Sequence, residues 1–176
     1  MAPSLEDIRT TRDDEQLYKL LSAYLEELFP PEQQEDRDRI LVALANSPRG
    51  MRAMAGTYDL DVSMAVDDLA WHFGNHNDDR FLEETVTSLK ELEAPEVAEI
   101  FLSAWEIVKP YLPEIRSRNW ERKDFSEYLE RTGIQSRTEP LSRRMWAIRK
   151  ECGDLGFMRF WVDYARKYPE RCVRIS

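Results

Sequence analysis

The segment DDLAWHFGNHNDD, residues 67–79, gathers four aspartates around the only two histidines of the chain. Asp68, His72 and His76 recur at intervals of four. On an unbroken helix they form one stripe, as metal ligands carried on helices do. His72 is not followed by the glutamate of an HExxH motif, and with no third histidine the site would need more carboxylates or a distant cysteine. Gly74-Asn75 stands between the two imidazoles, and Gly then Asn is a common exit from a helix through a left-handed residue. The stripe is therefore expected to be cut there, with His72 and His76 pointing differently. Asn77, Asp78 and Asp79 then read as caps of the next helix, their oxygens taking its free N–H groups, with Glu83 and Glu84 suiting the positive end of its dipole. Helix termination plus capping is the preferred reading, and neither metal nor cofactor is assigned. A metal-dependent enzyme centred on Asp68, His72 and His76 is the alternative.

The elements that must carry this segment follow from apolar spacing. Leu17, Leu20, Leu21, Tyr24, Leu25 and Leu28 repeat at the helical period until Pro30-Pro31. Ile40, Leu41 and Leu44 predict a shorter helix closed near Asn46 to Pro48, with a turn or two after it. A loop is expected around Gly56, then a helix through Val62, Ala65, Val66, Leu69 and Phe73 that holds the opening segment. Leu82, Val86 and Leu89 mark the next helix. Pro95 suits the first turn of another, which buries Val97, Ile100, Phe101, Ala104 and Val108 and stops at Pro110. KDFSEYLERTG, LSRRMWAIRKECG and FMRFWVDYARKY read as three more helices, the first two ended by Gly133 and Gly153 and the last by Pro169. No alternating strand pattern stands out. The fold class expected is all-α, one compact domain over residues 1–176 with seven or eight helices.

Composition agrees with a soluble globular chain: 176 residues, 42% hydrophobic and 34% charged. The N-terminus lacks the basic start and apolar run of a secretory signal, and no apolar run approaches the ~20 residues of a membrane span, so a cytoplasmic protein without membrane contact is expected. Cys152 and Cys172 have no CxxC spacing and read as free thiols. Trp71, Trp105, Trp146 and Trp161 fall in helical patterns and read as core, whereas Trp120, in a charged connector, is the candidate contact residue. No GxSxG, P-loop or GxGxxG motif is present, so no catalytic residue is assigned.

Charge divides along the chain. Residues 1–115 hold 25 acidic against 10 basic side chains, and residues 116–176 hold 9 against 15, leaving the net charge at −9. An acidic part followed by a basic one speaks to partners and self-association rather than to fold. The basic third is expected to meet the acidic part within the monomer or across a homodimer. Direct nucleic-acid binding is not expected, although Arg143, Arg144 and Arg149 with Trp146 would make a conceivable stacking and phosphate surface.

From about Leu17 to Pro110, in QLYKLLSAYLEEL, the aromatic and Asn-bearing helix end, and FLEETVTSLKELEAPEVAEIFLSAWEIV, the chain resembles the acidic, all-helical bacterial DNA-mimic proteins grouped as a domain of unknown function. Trp71 and Asn75 fit the helix end of that family, while Leu69-Ala70 replaces its Gly-Gly pair. The resemblance implies an acidic surface that occupies a basic DNA-binding protein, and some relatives sit in toxin–immunity settings.

Mimicry requires carboxylates on a rigid surface, so that a basic protein releases counterions to the mimic instead of to DNA. Asp67, Asp68, Asp79, Glu83, Glu84, Glu96, Glu99 and Glu106 are the candidate partner-binding residues. The function expected is non-enzymatic binding of a basic DNA-binding protein or nuclease, with an immunity- or antitoxin-like inhibitor as the neighbouring alternative.

Overall fold

In the computed structural model the described residues, 2–30 and 36–174, form α-helices joined by short turns, with no strand among them. Two helices open the chain, α1 (Leu5–Thr10) and α2 (Asp14–Leu28). Ser4 and Asp7 cap α1 reciprocally, and Asp13 caps α2 through the Gln16 N–H. After them come α3 (Arg37–Ala45), α4 (Arg49–Val66), α5 (Leu69–Asn75), α6 (Asp79–Glu91) and α7 (Pro95–Val108). A 3-10 turn leads to α8 (Leu112–Arg116), and α9 (Arg122–Arg131), α10 (Ile134–Glu151) and α11 (Met158–Lys167) complete the set. The all-α class is as the spacing predicts. The number of α-helices among the described residues is eleven, above the seven or eight expected. The additions are the short α1 and α8 and a different division of residues 49–75.

That division corrects two expectations. Gly56 lies inside α4, not in a loop. The pattern from Val62 to Phe73 is split at Asp67-Asp68, where both residues take extended backbone angles and a new helix begins. Gly56 is there for close approach: a Cβ on it would stand 2.2 Å from Ser88 Oγ and 3.0 Å from Ser88 Cβ. Its bare backbone lets α6 lie directly against α4. The α10 boundary also moves: the helix expected from Leu141 starts at Ile134, after Gly133 in the left-handed region, and holds Pro140 inside it.

Buried apolar side chains form two clusters. The larger joins Leu60 and Met64 of α4 to Leu69 and Phe73 of α5, Leu82 and Leu89 of α6, and the inner faces of α7, α9 and α10. The second joins Met51, Ala53 and Met54 of α4 to Leu17 and Leu21 of α2 and to Trp161, Val162 and Ala165 of α11. They separate because α4 turns different residues to different neighbours along its 18-residue length. It is the helix common to both, and Phe160 packs against each.

Gly56→Ala tests the α4–α6 contact. Alanine by itself favours a helix over glycine by ~0.5–1 kcal/mol, but the added carbon overpacks against Ser88, and a net loss of about 1–3 kcal/mol is expected in urea denaturation. Adding Ser88→Ala should recover part of that loss, because the nearest clashing atom goes with it.

Candidate functional site

Asp67 and Asp68 make the turn around which the opening segment folds back on α4. Asp68 caps α5, accepting from the Trp71 N–H at 3.0 Å and from the Gln135 side chain through its other oxygen. Asp67 lies 3.7 Å from Arg122, whose guanidinium stands 5.2 Å over the Trp71 ring. Beyond the turn α5 runs antiparallel to the end of α4, so residues whose numbers sum to the same value meet. Ser63 Oγ is 2.9 Å from His72 Nδ1, and Asp59 Oδ2 is 3.2 Å from His76 Nδ1.

The two histidines stack, with ring centroids 4.9 Å apart and planes 24° from parallel. They were expected to diverge. Gly74 does not take the left-handed conformation either: α5 continues through it and ends at Asn75, with His76 as its C-cap. Gly74 is needed because the Phe125 ring of α9 presses on it, 2.4 Å from where a Cβ would be. Asp68 remains apart from the stacked pair, committed to its cap. No group of three or more His, Cys, Asp or Glu among the described residues is arranged to hold a metal ion.

His72 is 2% exposed, ringed by Phe73 and Phe101, and its Nε2 meets no hydrogen-bond partner among the described residues. Burial, with His76 beside it, pushes its pKa down to about 3. Desolvation raises the pKa of Asp59, but the hydrogen bond and charge of His76 outweigh it and hold the carboxyl below its ordinary value. Ser63 and Asp59 are the residues that sequence reading missed. Their four-residue interval matches that of His72 and His76, a signal hidden by the loop expected at Gly56.

The other end of the segment lines an open groove of about 770 Å³. Trp71, Trp120 and Phe125 form its apolar wall, and Arg37, Arg80, Arg116 and Arg118 its charged rim. Asp78 caps α6 through the Arg80 N–H at 3.0 Å, as expected, and also accepts from the Arg80 side chain. Asp79 takes a two-pronged contact from Arg116, at 2.7 and 2.9 Å, and those bonds hold its carboxyl below the usual range. Trp120 is half-buried, donating to the Ile115 carbonyl at 2.9 Å and packing on Tyr128 at 4.7 Å. It is a wall of the groove more than a bare contact residue. Trp146 reverses its expectation: it is 39% exposed, while Trp105 and Trp161 are buried.

The eight acidic candidates thus part company. Asp67, Asp68 and Asp79 serve the turn, the cap and the groove. Glu84 is 8% exposed and faces inward to Arg52, at 2.6 and 2.7 Å, so it does not belong to an outer acidic face. Glu83, Glu96, Glu99 and Glu106 are exposed on α6 and α7. Much of the remaining acid is met by the basic third: Asp14 by Arg159 and Arg166, Asp61 by Arg149, Glu93 by Lys167, Glu91 by Arg171. Arg143, Arg144 and Arg149 likewise pair with Glu139, Glu96 and Asp61 and form no cluster on Trp146. Compared with known proteins, the chain matches no family model, and no curated protein or solved structure is significantly similar to it.

Two measurements probe this site. The unfolded chain's imidazole takes a proton near pH 6.5, whereas buried His72 resists it down to about 3. Between those limits the unfolded state binds the extra proton, so this contribution is complete above about pH 6.5 and is lost as pH falls, by about 1.4 kcal/mol per unit. From pH 6.5 to 5, above the ordinary carboxylate range, His72→Asn should lack that share of the slope in chemical denaturation. Gly74→Ala should destabilise by about 1–3 kcal/mol through overpacking on Phe125, and Phe125→Leu in the same chain should reduce the difference between Gly and Ala at position 74.

Proposed function

We propose that this protein is a non-enzymatic binding protein that holds a basic partner, a DNA-binding protein or a nuclease, against an acidic helical surface. The observation that carries this reading is the solvent strip of α7. Its inner face is apolar, with Val97, Ile100, Phe101, Ala104 and Val108 buried. Its only charged residues are Glu96, Glu99 and Glu106, all exposed; Arg144 of α10 reaches Glu96 at 3.4 Å and Lys109, just past the helix, reaches Glu106 at 3.5 Å, so the strip stays net acidic. Glu83 stands exposed on α6, which packs beside it.

Charge density separates the two forms of the proposal. At ~1.5 Å of rise per residue the three glutamates of α7 span about 15 Å, whereas duplex DNA carries a charge every ~1.7 Å of its axis. The strip is a short anchoring row rather than a long replica of the phosphate backbone. That sparseness favours local charge complementarity, as in an immunity- or antitoxin-like inhibitor of a basic nuclease, over mimicry of an extended duplex. No metal or cofactor enters the reading.

A fluorescent lysine-rich peptide, standing for the basic surface of the partner, tests it by anisotropy across a salt series. Glu96→Gln, Glu99→Gln and Glu106→Gln together should weaken binding roughly tenfold at low salt, since exposed pairs contribute ~0.2–1 kcal/mol each. The difference should shrink as ionic strength rises. Glu127→Gln, Glu130→Gln and Glu151→Gln together give the same net charge and should leave binding near the original. Equal losses from both sets would reduce the effect to overall charge and overturn the assignment to α7.

A further inference from the structure

Tyr58, Val62 and Val66 of α4 and Trp146 of α10 are four of the five large apolar side chains left exposed among the described residues, at 48%, 44%, 75% and 39%. The fifth, Val42, lies on α3. The three residues of α4 are spaced by four and share one face. Nearer its start α4 buries Met51 and Met54 beneath α2 and α11. That cover ends at Tyr58, whose ring is 6.4 Å from Trp161.

Two contacts fix how α10 lies beside this stripe. Arg149 bonds Asp61 at 3.1 Å, and the Leu69 N–H donates to Ser142 Oγ at 3.2 Å. Position rises along one segment as it falls along the other, so the helices are antiparallel and Ala65-Val66 stands level with Met145-Trp146. Trp146 therefore continues the apolar surface across the seam. Arg143 and Lys150 are exposed on α10 within a turn of Trp146. Asp59, 60% exposed, follows Tyr58 on α4 and also meets His76, while Arg143 also meets Glu139 and Lys150 completes a net basic edge on α10.

We infer that this seam is where a second copy of the chain docks, as a two-fold dimer whose axis runs along the two helices. Such an axis sets α4 of each protomer against α10 of the other. Apolar residues then meet at the centre, and the acidic edge of one protomer faces the basic edge of its partner. An axis across the helices would oppose like edges, and the charges disfavour it. Obligate dimers bury upwards of about 2,000 Å²; a centre of four large side chains falls short of that, so the association is reversible and depends on concentration. It leaves the glutamates of α7 open, because α7 meets the opposite flank of α10, where Arg144 lies 3.4 Å from Glu96. Arg144 and Trp146 are two residues apart on the helix and face opposite ways.

Sedimentation velocity on the full chain over a concentration series tests the inference. The mass should rise from 20.8 kDa toward twice that value. Val62→Asp with Val66→Asp should raise the dissociation constant at least tenfold while circular dichroism and melting stay unchanged, because both sites face solvent. Trp146→Ala, on the other helix, should also weaken association. It decides the matter should the double variant misfold. Val42→Asp, away from the seam, should leave association as it was. A chain that stays monomeric throughout, or a dimer indifferent to the seam variants, overturns the proposal.

Discussion

A buried carboxylate holds the three-dimensional arrangement together. Asp61, 6% exposed, sits in the middle of α4 and accepts from the Arg149 side chain of α10 and, at 2.7 Å, from the Phe157 N–H at the entry to α11. Two stretches far apart in sequence, the middle of α4 and the junction of α10 with α11, meet on one charge. Removing one partner of a buried pair costs about 3–5 kcal/mol, because the remaining charge stays desolvated. The same contact fixes the level of α10 against α4, and so sets Trp146 level with the end of α4. The level of the exposed seam depends on it.

The long-range ion pairs share that logic with less energy at stake. Asp14 meets two arginines of α11, Glu93 meets Lys167, and Arg116 clamps Asp79. Exposed pairs contribute ~0–1 kcal/mol each, so they do little for stability. Their effect is on the surface: they pair acid with base over most of the outside, and on α7 two bases, Arg144 and Lys109, meet three glutamates. A polar division along the chain becomes an interleaved surface once folded, with the charge of −9 unevenly distributed over it.

The opening segment shows where a one-dimensional reading holds and where it fails. Capping by Asp78, and the end of a helix just after Gly74, depend on neighbours within four residues and were legible. The relation of His72 to His76 was not, because it is set by Ser63 and Asp59 across the hairpin. Gly74 was marked as special for a different reason from the real one. Its hydrogen atom makes room for Phe125, about fifty residues further on, rather than permitting a left-handed turn. Gly56 makes room for Ser88 in the same way.

The sequence by itself determined the helical class, most helix ends and the division of charge, because periodicity, caps and proline act over a turn or two. The tertiary structure alone decided that Glu84 turns inward to Arg52 while Glu96, Glu99 and Glu106 stay in water, that Trp146 is exposed while Trp105 is not, and that α4 runs unbroken through Gly56. An amphipathic helix states that it has an inner face, not how much of the remainder a neighbour will cover. That coverage comes from contacts between residues tens of positions apart, and no local pattern encodes it.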